Sequence, residues 1–360
     1  MRLLWVEVRD FRNHAETAIE VPAGLIAVVG PNAQGKTNLL EAIAVLLTGR
    51  SFRTSRLVEI AAWDTASASL SGDVRRDDGS RTLRRTIHRA EDGAWRSTGD
   101  LVPWAKVIVF GWQDLEIMHG PPGARRSFLD GFAGRLYASH IPTLLRYRQI
   151  VARRNSVLQS RTEGGLEARL APWDEQLATV GVELIDRRRR AAAALQTELA
   201  RVHPVVSGGA AGALSRSEQK VEICYRATVG EVSDVAGFIR AIEPRRREER
   251  RRGLTLVGPH RDDVAIELDG VDVRAFGSRG QQRLLALALR LAEVMPVREA
   301  VGTAPVLLLD DALSELDERA RQNVLREIQH TDQVFLTTPE PLAVSGAARW
   351  IVTGGGVAAA

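Results

Sequence analysis

The hydrophobic pattern changes character twice along the 360 residues. Residues 2–8, 16–21 and 25–29 read as strands, and Leu25–Val29 is apolar throughout, as a strand buried on both faces requires. Residues 37–47 then carry apolar side chains at helical spacing and stop at Gly49. Turn residues at Asp77-Asp78-Gly79 and Asp92-Gly93 predict antiparallel strands over 66–74 and 81–88, and 107–110 reads as a short buried strand.

From about Arg125 to Arg252 the period becomes helical. Leu166, Leu170, Trp173, Leu177, Val180 and Leu184 recur at alternating four- and three-residue steps. Pro172 and Gly181 interrupt that stripe and predict two or three packed helices rather than one rod. Gly208 to Gly212 predicts a flexible break. Strand patterning then returns. Residues 264–268 and 271–273 flank an Asp269-Gly270 hairpin turn, 284–294 is a helix, and 306–309, 333–338 and 350–352 are strands before a Gly-Ala tail expected to be disordered. The fold class is α/β with a mixed sheet and an antiparallel subdomain. Residues 1–120 and 253–360 form one discontinuous domain, and 121–252 a helical insertion.

Composition narrows the class. Apolar residues at 44% and charged residues at 26% are ordinary for a globular protein. One cysteine, Cys224, excludes an internal disulfide framework, and no apolar run approaches the ~20 residues that span a bilayer. With no signal-peptide pattern at the start, a cytoplasmic protein without a membrane partner is expected. The net charge is +4, and with only three lysines it comes almost entirely from arginine. Clusters at Arg187, Arg188, Arg189 and Arg190 and at Arg245, Arg246 and Arg247 are either a solvated helical surface or a face for DNA phosphates.

The chemistry sits at the two ends. Gly30-Pro31-Asn32-Ala33-Gln34-Gly35-Lys36-Thr37, followed by Asn38, lies between a strand and a helix, the setting a phosphate loop needs. Its glycines free the backbone to turn N–H groups inward, and the helix start adds a positive dipole end. Lys36 supplies a point charge to the β- and γ-phosphates, and Thr37 a hydroxyl for Mg²⁺. ATP or GTP with Mg²⁺ is the expected ligand. The strand 306–309 delivers Asp310, a metal ligand, and Asp311, placed to orient or deprotonate the attacking water. Gln113, in Gly111-Trp112-Gln113-Asp114, belongs either to a surface turn or to a turn that reaches the metal. Ser278-Arg279-Gly280-Gln281 precedes a helix and offers a hydroxyl and N–H groups to an anion. His260, in a Gly-Pro turn without a second histidine at ligand spacing, reads as structural.

These motifs, in this order, resemble the ABC-type ATPase superfamily: a phosphate loop, a Ser-x-Gly-Gln signature, the Asp310-Asp311 strand and a D-loop from Ser314 to Asp317. The split head with a helical insertion is similar to the DNA-repair branch that includes SMC proteins. Within it the chain resembles the RecF family, through Asp10–Asn13, Gly30–Asn38, Gly49–Thr54, Gly120–Pro122, Arg125–Asp130, Gly258–Asp263, Gly280–Arg283 and Leu309–Asp317. The resemblance implies an ABC/SMC-like ATPase head with a helical arm, slow ATP hydrolysis and DNA binding. It also implies an ATP-dependent homodimer in which Ser278, Gly280 and Gln281 of one copy complete the site of the other. Family members are expected at gapped or single-strand/double-strand junction DNA with RecO and RecR, helping to load RecA and supporting the SOS response.

Three departures stand out. Gln113 lies where the family has a Ser-Pro-acid turn, and Asp311 replaces the glutamate usual in transporters. No switch histidine follows the last core strand, so Thr337 or Thr338 takes that place. A transporter's nucleotide-binding subunit or a metabolic P-loop kinase is the competing class. The split motifs argue against the first and the Ser-x-Gly-Gln signature against the second.

Overall fold

The computed structural model describes residues 1–77, 79–160, 165–208, 220–276, 278–329, 331–341 and 346–360. Two compact units emerge: Met1–Leu115 with Arg201–Glu218 and Arg279–Ala360, and Glu116–Ala200 with Gln219–Ser278. These bounds differ from the division drawn on the sequence, because 201–218 cluster with the first unit and 253–278 with the second.

The first unit holds two sheets. One is antiparallel, in the order His14–Glu20, Arg2–Phe11, Ser67–Arg76, Gly79–Arg89, Trp95–Gly99. Asp78, at the expected turn, lies outside the described residues. The other is mixed, in the order Gly356–Ala359, Ala348–Thr353, Gly24–Val29, Gln333–Thr338, Val306–Leu309, Val107–Phe110, parallel except for its first pair. The helix Lys36–Thr48 touches strands of both sheets and buries Leu39, Leu40, Ala42, Ile43, Val45 and Leu46. Apolar residues on every side are what a helix between two layers needs. Gly49 closes it in a left-handed conformation (φ 74°), its N–H on the Val45 carbonyl. Buried Gln333 ties the sheets together, accepting from Leu3 N–H at 2.8 Å and donating to the Leu3 and Pro22 carbonyls.

The expected disordered tail is a strand. Gly354 and Gly355 (φ 55° and 85°) supply the two positive-φ positions of a tight hairpin, which folds Gly356–Ala359 back on Ala348–Thr353.

The second unit combines helices with a three-stranded antiparallel sheet of Val221–Arg226, Asp263–Leu268 and Val271–Asp272. Asp269-Gly270 makes the expected hairpin, but Val221–Arg226 lies in a stretch read as helical. The packed-helix expectation is also overturned, since Leu166–Ser207 is one helix of 42 residues. Pro172 is exposed in its second turn, and the carbonyl it orphans, on exposed Ala168, is open to water. Gly181 is a packing position rather than a break: a Cβ there would lie 2.6 Å from the Phe238 ring. Phe238 packs with Leu177, Val180, Leu184, Tyr147 and Ile150 in this unit's core. Gly208 ends the long helix (φ 78°), and Gly209 to Gly212 lie outside the described residues.

Candidate nucleotide site

The loop strand Gly24–Val29 and the carboxylate strand Val306–Leu309 are separated by Gln333–Thr338, so three distant segments end side by side at the C-terminal edge of a parallel sheet. Ligands of open α/β sheets bind at that edge. Thr37 Oγ1 donates to the Asp310 carboxylate, 2.9 Å from both oxygens. Thr337 Oγ1 donates to Asp310 Oδ1 at 2.9 Å and accepts from the Asp311 N–H at 2.8 Å. Burial raises the Asp310 pKa above the ordinary aspartate value, the two hydroxyls work against that rise, and the Asp311 charge adds to it. Asp311 sits in the left-handed region (φ 47°), strained backbone of the kind that collects at functional sites.

The loop is tightly built. Lys36 is buried and donates to the Gly30 carbonyl at 2.7 Å and the Pro31 carbonyl at 2.9 Å. Ala33 holds φ 64° and Gly35 φ 114°, with Pro31, Asn32 and Ala33 exposed and Gln34 half-buried. A Cβ on Gly30 would lie 2.4 Å from the Val352 carbonyl oxygen. Gln113 is half-buried and lines the same cavity as Thr37, Arg53, Asp114 and Asp310. Its neighbour Asp114 accepts from the Gly111 N–H at 2.9 Å and from Arg290 at 2.5 and 3.0 Å.

Ser278, Gly280 and Gln281 are exposed at the start of the helix Arg279–Ala292, while Gly277 lies outside the described residues. Arg283 of that helix donates to the Asp311 carbonyl and the Ser314 hydroxyl, each at 2.6 Å. Ser314 lies in a turn rather than a helix. The helix begins at Glu318, capped by Asp317 Oδ1, which accepts from the Ala320 N–H at 2.7 Å.

Several site residues escaped the reading of single motifs. Glu41, on the loop's helix and wholly buried, is held by Arg12 at 2.8 and 3.0 Å, by Ser51, and by Arg53 at 3.2 Å. Arg53 also donates to Asn38 Oδ1 at 2.7 Å. Arg12, Ser51 and Arg53 fall inside family-like blocks, which was the available signal; Glu41 looks like an ordinary exposed helix residue in sequence.

The arginine clusters separate on inspection. Arg188 is buried, with Nε and Nη2 each 2.8 Å from Asp130 and Nη1 on the Pro259 carbonyl, so it is part of the unit's interior rather than of a DNA face. Arg246 is mostly covered and pairs with Asp174 and Glu167. Arg187 bonds Thr143, Ser139 and Glu183, and Arg189 bonds the Val232 and Gly230 carbonyls. Arg190, Arg245 and Arg247 are exposed; Arg190 pairs with Asp186 and Arg245 with Glu248. His260 is structural as expected. Its ring lies between the Tyr147 hydroxyl at 3.0 Å and the Thr255 carbonyl at 3.1 Å, and burial pushes its pKa down to about 4. No cluster of three or more His, Cys, Asp or Glu side chains suits a metal, and no helix is long and apolar enough to cross a membrane, among the described residues.

Known proteins bear on this geometry. The family described as the RecF/RecN/SMC N-terminal domain matches residues 2–353. The DNA replication and repair protein RecF of Halalkalibacterium halodurans is 33% identical over 345 residues, covering 94% of this chain and 92% of its own length. That of Synechococcus sp. (strain JA-3-3Ab) is 36% identical, covering 94% and 91%. A solved structure described as the recombination mediator protein RecF with ATP in the RecFOR pathway superposes with a TM-score of 0.85 at 30% identity, covering 99% of this chain and 97% of that one. An Smc head bound to the C-terminal winged-helix domain of ScpA, 15% identical with a TM-score of 0.57, shares the fold. On the family match, the identity and the superposition together, the chain belongs to the RecF family of DNA replication and repair proteins.

Proposed function

We propose that this chain binds and hydrolyses ATP as a conformational switch in DNA replication and recombinational repair. The carrying observation is the Thr37–Asp310 hydrogen bond, which joins residues 273 positions apart at the mouth of the phosphate loop. A hydroxyl and a carboxylate are the hard oxygen donors that Mg²⁺ prefers, so Thr37 and Asp310 would hold the metal, with Gln113 as a third candidate. Held there, Mg²⁺ would offset charge on the triphosphate oxygens. Gly30 to Asn38 would cradle the phosphates, with Lys36 leaving its two carbonyls to meet the β- and γ-oxygens. Asp311 would take the proton of the attacking water, and Thr337, hydrogen-bonded to the Asp311 N–H, would fix the backbone that carries it. Similarity to a RecF–ATP structure supports the choice of nucleotide.

The exposed Ser278, Gly280 and Gln281 would complete the γ-phosphate site of a second copy, with Ser314 and Asp317 at the same interface. DNA, gapped or at single-strand/double-strand junctions, and RecO and RecR would be the partners, in loading RecA and supporting the SOS response. Residues 1–120 with 253–360 would act as the ATPase head and 121–252 as the arm. Asp311→Asn should give an ATP-bound dimer that turns over slowly. Size-exclusion chromatography with light scattering in saturating ATP tests this, and a monomer at every protein concentration would sink the switch.

A further inference from the structure

The turn between the last two strands reaches the phosphate loop at Gln34. Gly354 N–H donates to the Gln34 side-chain oxygen at 2.7 Å, and Gly355 N–H to the Gln34 carbonyl at 3.0 Å. Asn13 Nδ2 donates to that same carbonyl at 3.0 Å. His14, fully buried at the start of its strand, lies across the junction, Nδ1 2.6 Å from the Gly355 carbonyl and Nε2 3.1 Å from the Gly35 carbonyl. Thr17 adds a hydroxyl 3.4 Å from the Gly355 oxygen. There is no room to spare: a Cβ on Gly355 would lie 2.0 Å from the Asn13 carbonyl oxygen, and one on Gly35 2.7 Å from Asn13 Nδ2.

The direction of these bonds matters. In a trans peptide the N–H points opposite to the C=O. Holding the Gln34 and Gly35 carbonyls on the hairpin side therefore turns the Gly35 and Lys36 N–H groups away from it, the orientation a cradled phosphate needs. We propose that His14 and the Gly354-Gly355 turn form a clamp that positions the phosphate loop, ordering it before nucleotide arrives. This inference rests on the ATP reading above. It assigns these residues to loop geometry and not to the chemical step.

His14→Gln, Gly355→Ala and the double variant test the clamp. Each single change should weaken binding of a fluorescent ATP analogue roughly tenfold and raise KM alike, with kcat at saturating ATP within about twofold of the parent. Because both changes break one junction, the double variant should fall well short of the product of the singles. Unchanged affinity, a lowered kcat at unchanged KM, or a fully multiplicative double variant would each overturn the clamp. If Gly355→Ala does not fold, His14→Gln alone decides. A second measurement needs no nucleotide: hydrogen exchange across residues 30–40 should be faster in both variants, and equal exchange would refute the proposal. Parent protein that binds no ATP would count against the nucleotide reading only, leaving the exchange result to judge the clamp.

Discussion

The nucleotide site of the first unit and the interior of the second use charge in opposite ways. In the first, Asp310 and Lys36 are held at the edge of a sheet by hydroxyls and backbone carbonyls, partners that a triphosphate and a metal can replace. In the second, the covered arginines face carboxylates of their own unit. Arg154, fully buried, bonds Asp174 at 2.7 Å, Glu249 at 2.5 Å and the Thr255 hydroxyl at 2.8 Å. Arg188 and His140 share Asp130; burial works against ionising that carboxyl, but the two hydrogen bonds outweigh it and its pKa falls. Charge that can exchange partners suits a ligand, whereas charge neutralised inside a core suits architecture.

The contrast breaks first at Arg154. Arg154→Ala removes the cation bonded to buried Glu249, leaves Asp174 to Arg246 alone, and should cost about 3–5 kcal/mol. Urea denaturation should show that loss while nucleotide affinity, measured below the transition, stays at the parent value; a matching loss of affinity would erase the distinction between the units. Lys36→Ala should do the reverse. Removing one charged partner of the phosphates costs about 1.5–3 kcal/mol of binding, or roughly tenfold to a hundredfold in Kd, with little change in melting temperature.

His260 gives a smaller, pH-dependent test. Its folded pKa of about 4 lies below the ordinary 6.5, so between those values the unfolded chain takes up a proton that the folded chain refuses. Stability should therefore fall on acidification through this window, and His260→Gln should flatten the fall seen by thermal melting at stepped pH. The smallest effect concerns DNA. Arg190→Ala should make the salt dependence of DNA binding shallower, by about 0.9 in slope for each phosphate the side chain neutralises, without destabilising the protein. Arg188→Ala should lose stability instead, and a pure salt-slope change there would return it to the DNA face.

Much of the first unit was legible because its signals are local. The loop, its helix and the two carboxylates each combine a periodicity with punctuation at Gly30, Gly49 and Asp310, and the bond from Thr37 to Asp310 brings them together as read. The arm was harder. Four consecutive arginines on a helix step about 100° each and cannot share one face, so Arg188 had to turn inward. Gly181 looked like a helix breaker because the ring packed on it, Phe238, is distant in sequence. The Gly-Ala tail, with Val357 as its one β-branched residue, was too weak in strand formers to announce a strand, and only the pairing of Gly356–Ala359 with Ala348–Thr353 makes it one. Glu41 needed three partners from other segments before its role could show.

The neighbours of the loop strand carry one more consequence. Gly24–Val29 is flanked on one side by Gln333–Thr338 and on the other by Ala348–Thr353. During synthesis this apolar ribbon therefore waits, both edges bare, until residues 333–353 have been translated. Such long-range closure is slow and leaves sticky edges open to stray pairing. A growing chain of this protein should accordingly lean on chaperones until those two partner strands leave the ribosome.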